Sequence, residues 1–249
     1  SFSYEGNKDF VIKDINFKIY NNEFISILGA NGSGKSTLIK LAAGLLKPKK
    51  GNINLLDKEL ITYKRVDIAK LISYVPQLYY SVYPYTVYEI VMMGRNPHLG
   101  VMGFENKEDI ELVDHILEEV GIYKYRNKSI NEISSGEAQR AYVARALVQN
   151  AKIILLDEPN SHLDIKNEIS LFKLLASLKE KENISIAIIT HHINLAHYYS
   201  DNILMLKKGE VLYYGKPNKL LDKEIIIDCF DLNNDVNVII NNECRTINL

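Results

Sequence analysis

Residues 24–41, FISILGANGSGKSTLIKL, constrain this chain more than any other stretch. Gly29, Ala30, Asn31, Gly32, Ser33, Gly34, Lys35 and Ser36 fit G-x-x-x-x-G-K-[ST] without a mismatch. Phe24, Ile25, Ile27 and Leu28 precede it as an apolar run of β-formers, which predicts a buried strand. Residues 37–46 place Leu38, Leu41, Ala42 and Leu45 at helical spacing. Strand, glycine loop and helix together make an anion site. The glycines let backbone N–H groups from Asn31 to Thr37 turn inward, and the helix brings unpaired N–H groups and its positive end to the same point. The pattern puts Lys35 on the outer phosphates of a nucleoside triphosphate and the Ser36 hydroxyl on Mg²⁺. A glycine-rich turn beside a lysine is the plainer reading, but motif and flanks agree against it.

Composition narrows the rest. The 249 residues carry a net charge of −1, which argues against a nucleic-acid binder working by bulk charge. The basic run at 47–50 is short and follows a helix, as a solvated loop does. No apolar run approaches the ~20 residues that span a bilayer. The chain opens at Ser1-Phe2-Ser3-Tyr4, without a charged or apolar leader pattern and without an initiator Met. Cys229 and Cys244 lack metal-ligand spacing, and a reducing cytoplasm fits them.

Taken in order, residues 1–28 read as antiparallel β. Ile15, Phe17 and Ile19 alternate with polar residues, and Asn21-Asn22 supplies a turn into the strand at Phe24. Ile53 and Leu55 predict another strand, and residues 72–75 (ISYV) a further one, stopped by Pro76. An aromatic, proline-marked loop follows, with Tyr79, Tyr80, Tyr83 and Tyr85. Thr86 to Glu89 fits a capping box, with Gly94 as the stop. Asn106 caps a helix carrying Ile110, Val113, Ile116, Leu117 and Val120 on one face, ended by Gly121. Ser134-Ser135-Gly136-Glu137 begins a third helix that runs to about Gln149. Residues 78–149 therefore read as an inserted helical subdomain in one α/β domain spanning 1–249. Strands resume at 153–156 and 184–189, separated by a helix at 168–179. A hairpin turns through Lys207-Lys208-Gly209-Glu210.

Four apolar residues ending at Asp157 put a carboxylate on the C-terminal edge of a parallel sheet, where open α/β folds bind ligands. That carboxylate suits the Mg²⁺ shell, and Glu158 beside it is placed to orient or deprotonate an attacking water. His191 and His192 end the next buried strand, and spacing alone does not choose between them for a γ-phosphate contact. Gln77, after Pro76, ligates Mg²⁺ or solvates a loop.

These motifs resemble the ATP-binding subunit of ABC transporters across essentially the whole length. The resemblance implies a P-loop ABC ATPase core, with a mixed sheet and an N-terminal antiparallel β part. It implies that Tyr4 stacks on adenine and that Gln77 is the Q-loop glutamine. It implies that Asp157 is the Walker B aspartate and Glu158 the catalytic carboxylate. Ser161-His162-Leu163-Asp164 is similar to the D-loop, and His191 to the switch histidine, with His192 where aspartate is usual. Ile133-Ser134-Ser135-Gly136-Glu137 stands where the family has LSGGQ or LSGGE. In the family two subunits pack head to tail, and each signature caps ATP on the partner's P-loop. Ser135 replaces a glycine there. A position needing positive φ would be strained by it, with a weakened dimer or slower turnover as the consequence. Ile133 for leucine and Asn160 for threonine are smaller departures.

Met93-Gly94-Arg95-Asn96-Pro97-His98-Leu99-Gly100 is similar to the G-R-x-P-H-L-G stretch of importers for iron–siderophores, haem, cobalamin and some oxyanions. The resemblance implies ATP and Mg²⁺ as cofactors, a homodimer, transmembrane permease subunits and an extracytoplasmic binding protein. It implies work at the cytoplasmic face of the membrane and no nucleic acid. Three rivals remain. One is a soluble ABC ATPase without a permease. Another is a P-loop kinase or GTPase. The last is a regulatory subunit that holds ATP but barely hydrolyses it.

Overall fold

A computed structural model describes residues 1–6, 9–77, 83–99, 104–159, 164–217 and 223–232. Tyr79, Tyr80, Gly100, Asn160, the first three D-loop residues and Cys244 lie outside them. The framework is a six-stranded sheet. In chain order its strands are β1 (Phe24–Leu28), β4 (Ile72–Val75), β5 (Ile153–Leu156), β6 (Ser185–Ile189), β7 (Asn202–Lys207) and β8 (Glu210–Gly215). Across the sheet the order is β4-β5-β6-β1-β7-β8. The first five are parallel, and β8 returns antiparallel to β7. A short antiparallel pair, β2 (Asn54–Leu55) and β3 (Lys58–Glu59), stands apart.

Both faces of the sheet are covered, which is why its strands read as unbroken apolar runs. Phe24, Ile154, Leu156, Ile186 and Ile188 point into one core, shared with α5 (Ser135–Val148) and α6 (Ile165–Glu182). Ile25, Ile27, Leu155, Ala187 and Ile189 point the other way, onto α1 (Lys35–Ala42). The period-2 alternation of side chains thus splits each strand between two cores. Helix α2 (Arg65–Leu71) leads into β4. Helices α7 (Ile193–Tyr199) and α8 (Lys223–Phe230) flank β7, where Leu28, Ala196, Ile203, Met205 and Cys229 form a third, smaller core.

The expected N-terminal antiparallel part is reduced to one bridge, Phe2 with Ile12. Residues 15–20 form no strand. Ile15, Phe17 and Ile19 do pack on the α1-side core, so their alternation reports burial. Backbone carbonyls of this segment meet side chains instead of a ladder: the Tyr214 hydroxyl donates to Lys18 O and Ser185 Oγ to Tyr20 O. The predicted hairpin between β7 and β8 is present, with Lys208 and Gly209 both at positive φ. Gly209 N donates to Ser33 O, tying that turn to the glycine loop.

Between β4 and β5 the described chain is helical. Thr86 and Asn106 make capping boxes ahead of α3 (Val87–Met92) and α4 (Lys107–Glu119). Gly94 does more than stop a helix. It lies buried in a 3₁₀ turn, Met93–Arg95, pressed on α5, where a Cβ would sit 2.1 Å from Arg145 O. Arg95 donates to Val148 O at 2.8 Å, and His98 Nε2 lies 2.8 Å from Gln149 O. The G-R-N-P-H-L stretch thus satisfies the last carbonyls of α5.

Candidate active site

The C-terminal edges of β4, β5, β6 and β1 are consecutive in the sheet, about 4.8 Å apart. They deliver Gln77, Asp157 with Glu158, Thr190 with His191, and the glycine loop, in that order. Residues more than 150 apart in sequence meet because the strand order brings them side by side.

The glycine loop closes on α1 through Gly34, which caps the helix in the left-handed region at φ 100°. A Cβ there would also meet Ile12 Cδ1 at 2.8 Å and Val11 O at 3.0 Å, so only glycine fits. Lys35 Nζ donates to Gly29 O at 2.8 Å and Ala30 O at 3.0 Å. Burial lowers the Lys35 ammonium from its ordinary value, against the pull of Glu158. Ser33 Oγ is buried and has no hydrogen-bond partner among the described residues. A buried hydroxyl without a partner, at the N-terminus of α1, fits a phosphate oxygen. An open cavity of about 550 Å³ adjoins Gly32, lined by Asp9, Phe10, Val11, Lys13 and Lys208. Tyr4 lies at the start of α1, its hydroxyl 3.0 Å from Thr37 Oγ1 and its ring edge-on to Phe2.

Ser36 Oγ donates to Asp157 Oδ1 at 2.8 Å. The other oxygen, Oδ2, accepts from the Tyr74 hydroxyl at 3.1 Å. Ser36 and Asp157 thus present a hydroxyl and a carboxylate together, an oxygen set suited to a hard divalent cation. Glu158 follows in the left-handed region at φ 47°. Such a conformation costs about 1–3 kcal/mol. Its two oxygens are held from both sides: Gln77 Nε2 donates to Oε2 at 3.2 Å, and His191 Nε2 lies 3.1 Å from Oε1. Gln77 contacts Glu158 here, whereas the sequence offered it to Mg²⁺ or to solvent. His192 turns the other way, onto Glu168 Oε1 at 2.8 Å.

Ser134 caps α5 with its Oγ accepting from Glu137 N, while the Glu137 carboxylate accepts from Ser134 N at 2.9 Å. The Tyr125 hydroxyl, followed by Ser134, holds the Glu137 carboxyl below its usual range. Ser135 is the first residue of α5, exposed and outside the positive-φ set, so the strain anticipated for a side chain there is absent. Gly136 is buried against the Asn167 amide on α6, 3.1 Å from where a Cβ would stand. Asp164, the described residue of the expected D-loop, caps α6 by accepting from Asn167 N at 2.7 Å.

Tyr74 and Glu168 escaped the sequence reading. Each sits in an ordinary strand or helix pattern, and its partner lies in a distant segment. Cys229, on α8, is buried in the third core beside Leu28, the residue that precedes the glycine loop. Burial pushes that thiol up to about 12, with Lys35 pulling it down.

A family model described as "ABC transporter" matches residues 12–161. The petrobactin import ATP-binding protein FpuC of Bacillus anthracis is 37% identical over 94% of this chain and 86% of its own length. A metal-chelate type ABC transporter solved in an inward-facing conformation superposes with a TM-score of 0.79. It is 29% identical, over 88% of this chain and 82% of that one. The ATP-binding cassette MJ0796, solved as a post-hydrolysis dimer with ADP and Pi, superposes at 0.75 with 28% identity, over 86% and 94%. With the family model over residues 12–161 and that relative along nearly the whole length, the chain belongs to the ABC transporter family, as one of its ATP-binding, ATP-hydrolysing subunits.

Proposed function

We propose that this chain powers an importer of chelated iron, hydrolysing ATP as a homodimer docked on transmembrane permease subunits at the cytoplasmic face of the membrane. The observation that carries the hydrolytic part is the double hold on Glu158, with Gln77 on one oxygen and His191 on the other. That hold aims a carboxylate beside the loop that cradles the phosphates, as activation of a water requires. Asn31 to Thr37 bind the phosphates, Lys35 supplies the charge, and Tyr4 flanks the base. Ser36, Asp157 and Gln77 would hold Mg²⁺, which would supply positive charge against the phosphates. Ser134 to Glu137 would close over the ATP of a second subunit, with Asp164 at the same interface. Residues 78–149 act as the helical subdomain that carries that signature. Support for the cargo comes from the petrobactin importer likeness and the metal-chelate transporter. A binding protein outside the membrane would choose the chelate.

The test is light scattering of the Glu158→Gln chain with Mg-ATP. A shift from monomer to dimer, with hydrolysis abolished, supports the reading. No shift, with ATP bound, removes the homodimer from it. Uptake of radio-iron as a hydroxamate or catecholate chelate, in cells deleted for the gene and complemented with Glu158→Gln, tests the cargo. Uptake equal to that of wild-type complementation would exclude iron chelates.

A further inference from the structure

The turn from β6 to α7 holds three residues, and each has a distinct tether. Thr190 is buried and its Oγ1 accepts from His192 N at 3.1 Å. His191 reaches Glu158. His192, in extended conformation ahead of α7, reaches Glu168 on the first turn of α6. The Glu168 carboxylate is only 4% exposed, while the His192 ring is 44% exposed. A carboxylate removed from water needs a donor, so this contact differs from a surface ion pair worth little. His191, by contrast, is a partly exposed ring whose aim depends on the turn that bears it.

We propose that Glu168 and His192 are positioning residues for ATP hydrolysis: the buried Glu168 carboxylate pins the His192 ring, which fixes the turn and keeps His191 on Glu158. His191 and His192 are consecutive residues of one three-residue turn, and their rings meet different carboxylates, Glu158 and Glu168. Pinning one therefore sets the rotation of the other. Neither residue touches the phosphates, and both act through His191. The inference rests on reading Glu158 and His191 as the hydrolytic pair.

The experiment measures ATPase kinetics, ATP affinity and melting temperature on the full 249-residue chain. The variants are His191→Ala, His192→Ala, His192→Gln, Glu168→Ala and the double His192→Ala/Glu168→Ala. A misaimed group an ångström away costs up to 100-fold, so His192→Ala and Glu168→Ala are each expected to lower kcat roughly tenfold. Affinity for ATP stays within about twofold, because the loop is untouched. The double variant is no slower than either single one, since the pair acts as a unit. Glutamine places an amide nitrogen near the position of Nε2, and His192→Gln recovers most of the rate. Single losses that multiply in the double variant would overturn the proposal. So would a His192→Gln as slow as His192→Ala, or losses confined to melting temperature. If Glu168→Ala does not fold, the two His192 variants decide the matter alone. Wild-type turnover by His191→Ala would instead sink the hydrolytic pair itself. An inactive His191→Ala beside a fully active His192→Ala would sink only this inference.

Discussion

Ser36 and Asp157 share a hydrogen bond of 2.8 Å although 121 residues separate them. It joins the helix that follows the glycine loop to the end of β5, and it places a hydroxyl and a carboxylate side by side, the oxygen pair proposed above to hold Mg²⁺. Ser36→Ala should leave ATP binding in EDTA within about twofold while lowering kcat by roughly 100-fold with Mg²⁺. Titrating ATP with and without the metal checks it. Equal losses in both conditions would show that the hydroxyl serves the loop and not the cation.

Tyr74 holds the second oxygen of the same carboxylate. Outer partners of metal-binding carboxylates are worth about 10- to 100-fold in affinity or activity. Tyr74→Phe should therefore raise the Mg²⁺ concentration needed for half-maximal turnover by about tenfold and leave the melting curve nearly unchanged. A Mg²⁺ requirement equal to that of the wild type would reduce Tyr74 to packing.

Ser135 opens α5 with ordinary helical backbone, so glycine there relieves nothing. Ser135→Gly should destabilise the chain by about 0.5 kcal/mol, because glycine loses more freedom on folding. Chemical unfolding measures the sign. A stabilised variant would mean that the serine is strained after all.

Asp109 pairs with Arg95 at 2.7 Å, both largely buried. Burial alone would raise the Asp109 carboxyl, but the Arg95 guanidinium outweighs it and holds the group below its ordinary 3.8. A depressed folded value means that the pair stabilises fully above the unfolded value and fades as pH falls through the folded one. Asp109→Asn should cost roughly 3 kcal/mol at pH 7, with Arg95 left uncompensated. The gap from wild type should close as pH drops below 3.8. Denaturant midpoints across pH 2 to 7 test both statements.

Local signals carried most of what the sequence disclosed. The glycine loop, the capping boxes at Thr86, Asn106 and Ser134, and the buried strands are written within a few consecutive residues. The N-terminal alternation misled because Ile15, Phe17 and Ile19 bury themselves without pairing. Spacing could not separate His191 from His192, since the choice depends on which carboxylate each meets, Glu158 or Glu168. Tyr74 stayed hidden because its partner lies 83 residues away. Ser135 was judged by a glycine it replaces, whereas its own backbone decides the strain.

Helix α5 has one end at Ser134 and the other fastened to β4. Gln149, just past its last turn, donates from Nε2 to Ile72 O at 2.9 Å and accepts from Ser73 Oγ at 3.1 Å. Gly94 and Arg95 press on the same end. Between those two ends the 14 residues of α5 span about 21 Å. Ala141, Val143, Ala144 and Val148 are fully buried along that length, so the packing of one helix sets how far Ser134 stands from β4.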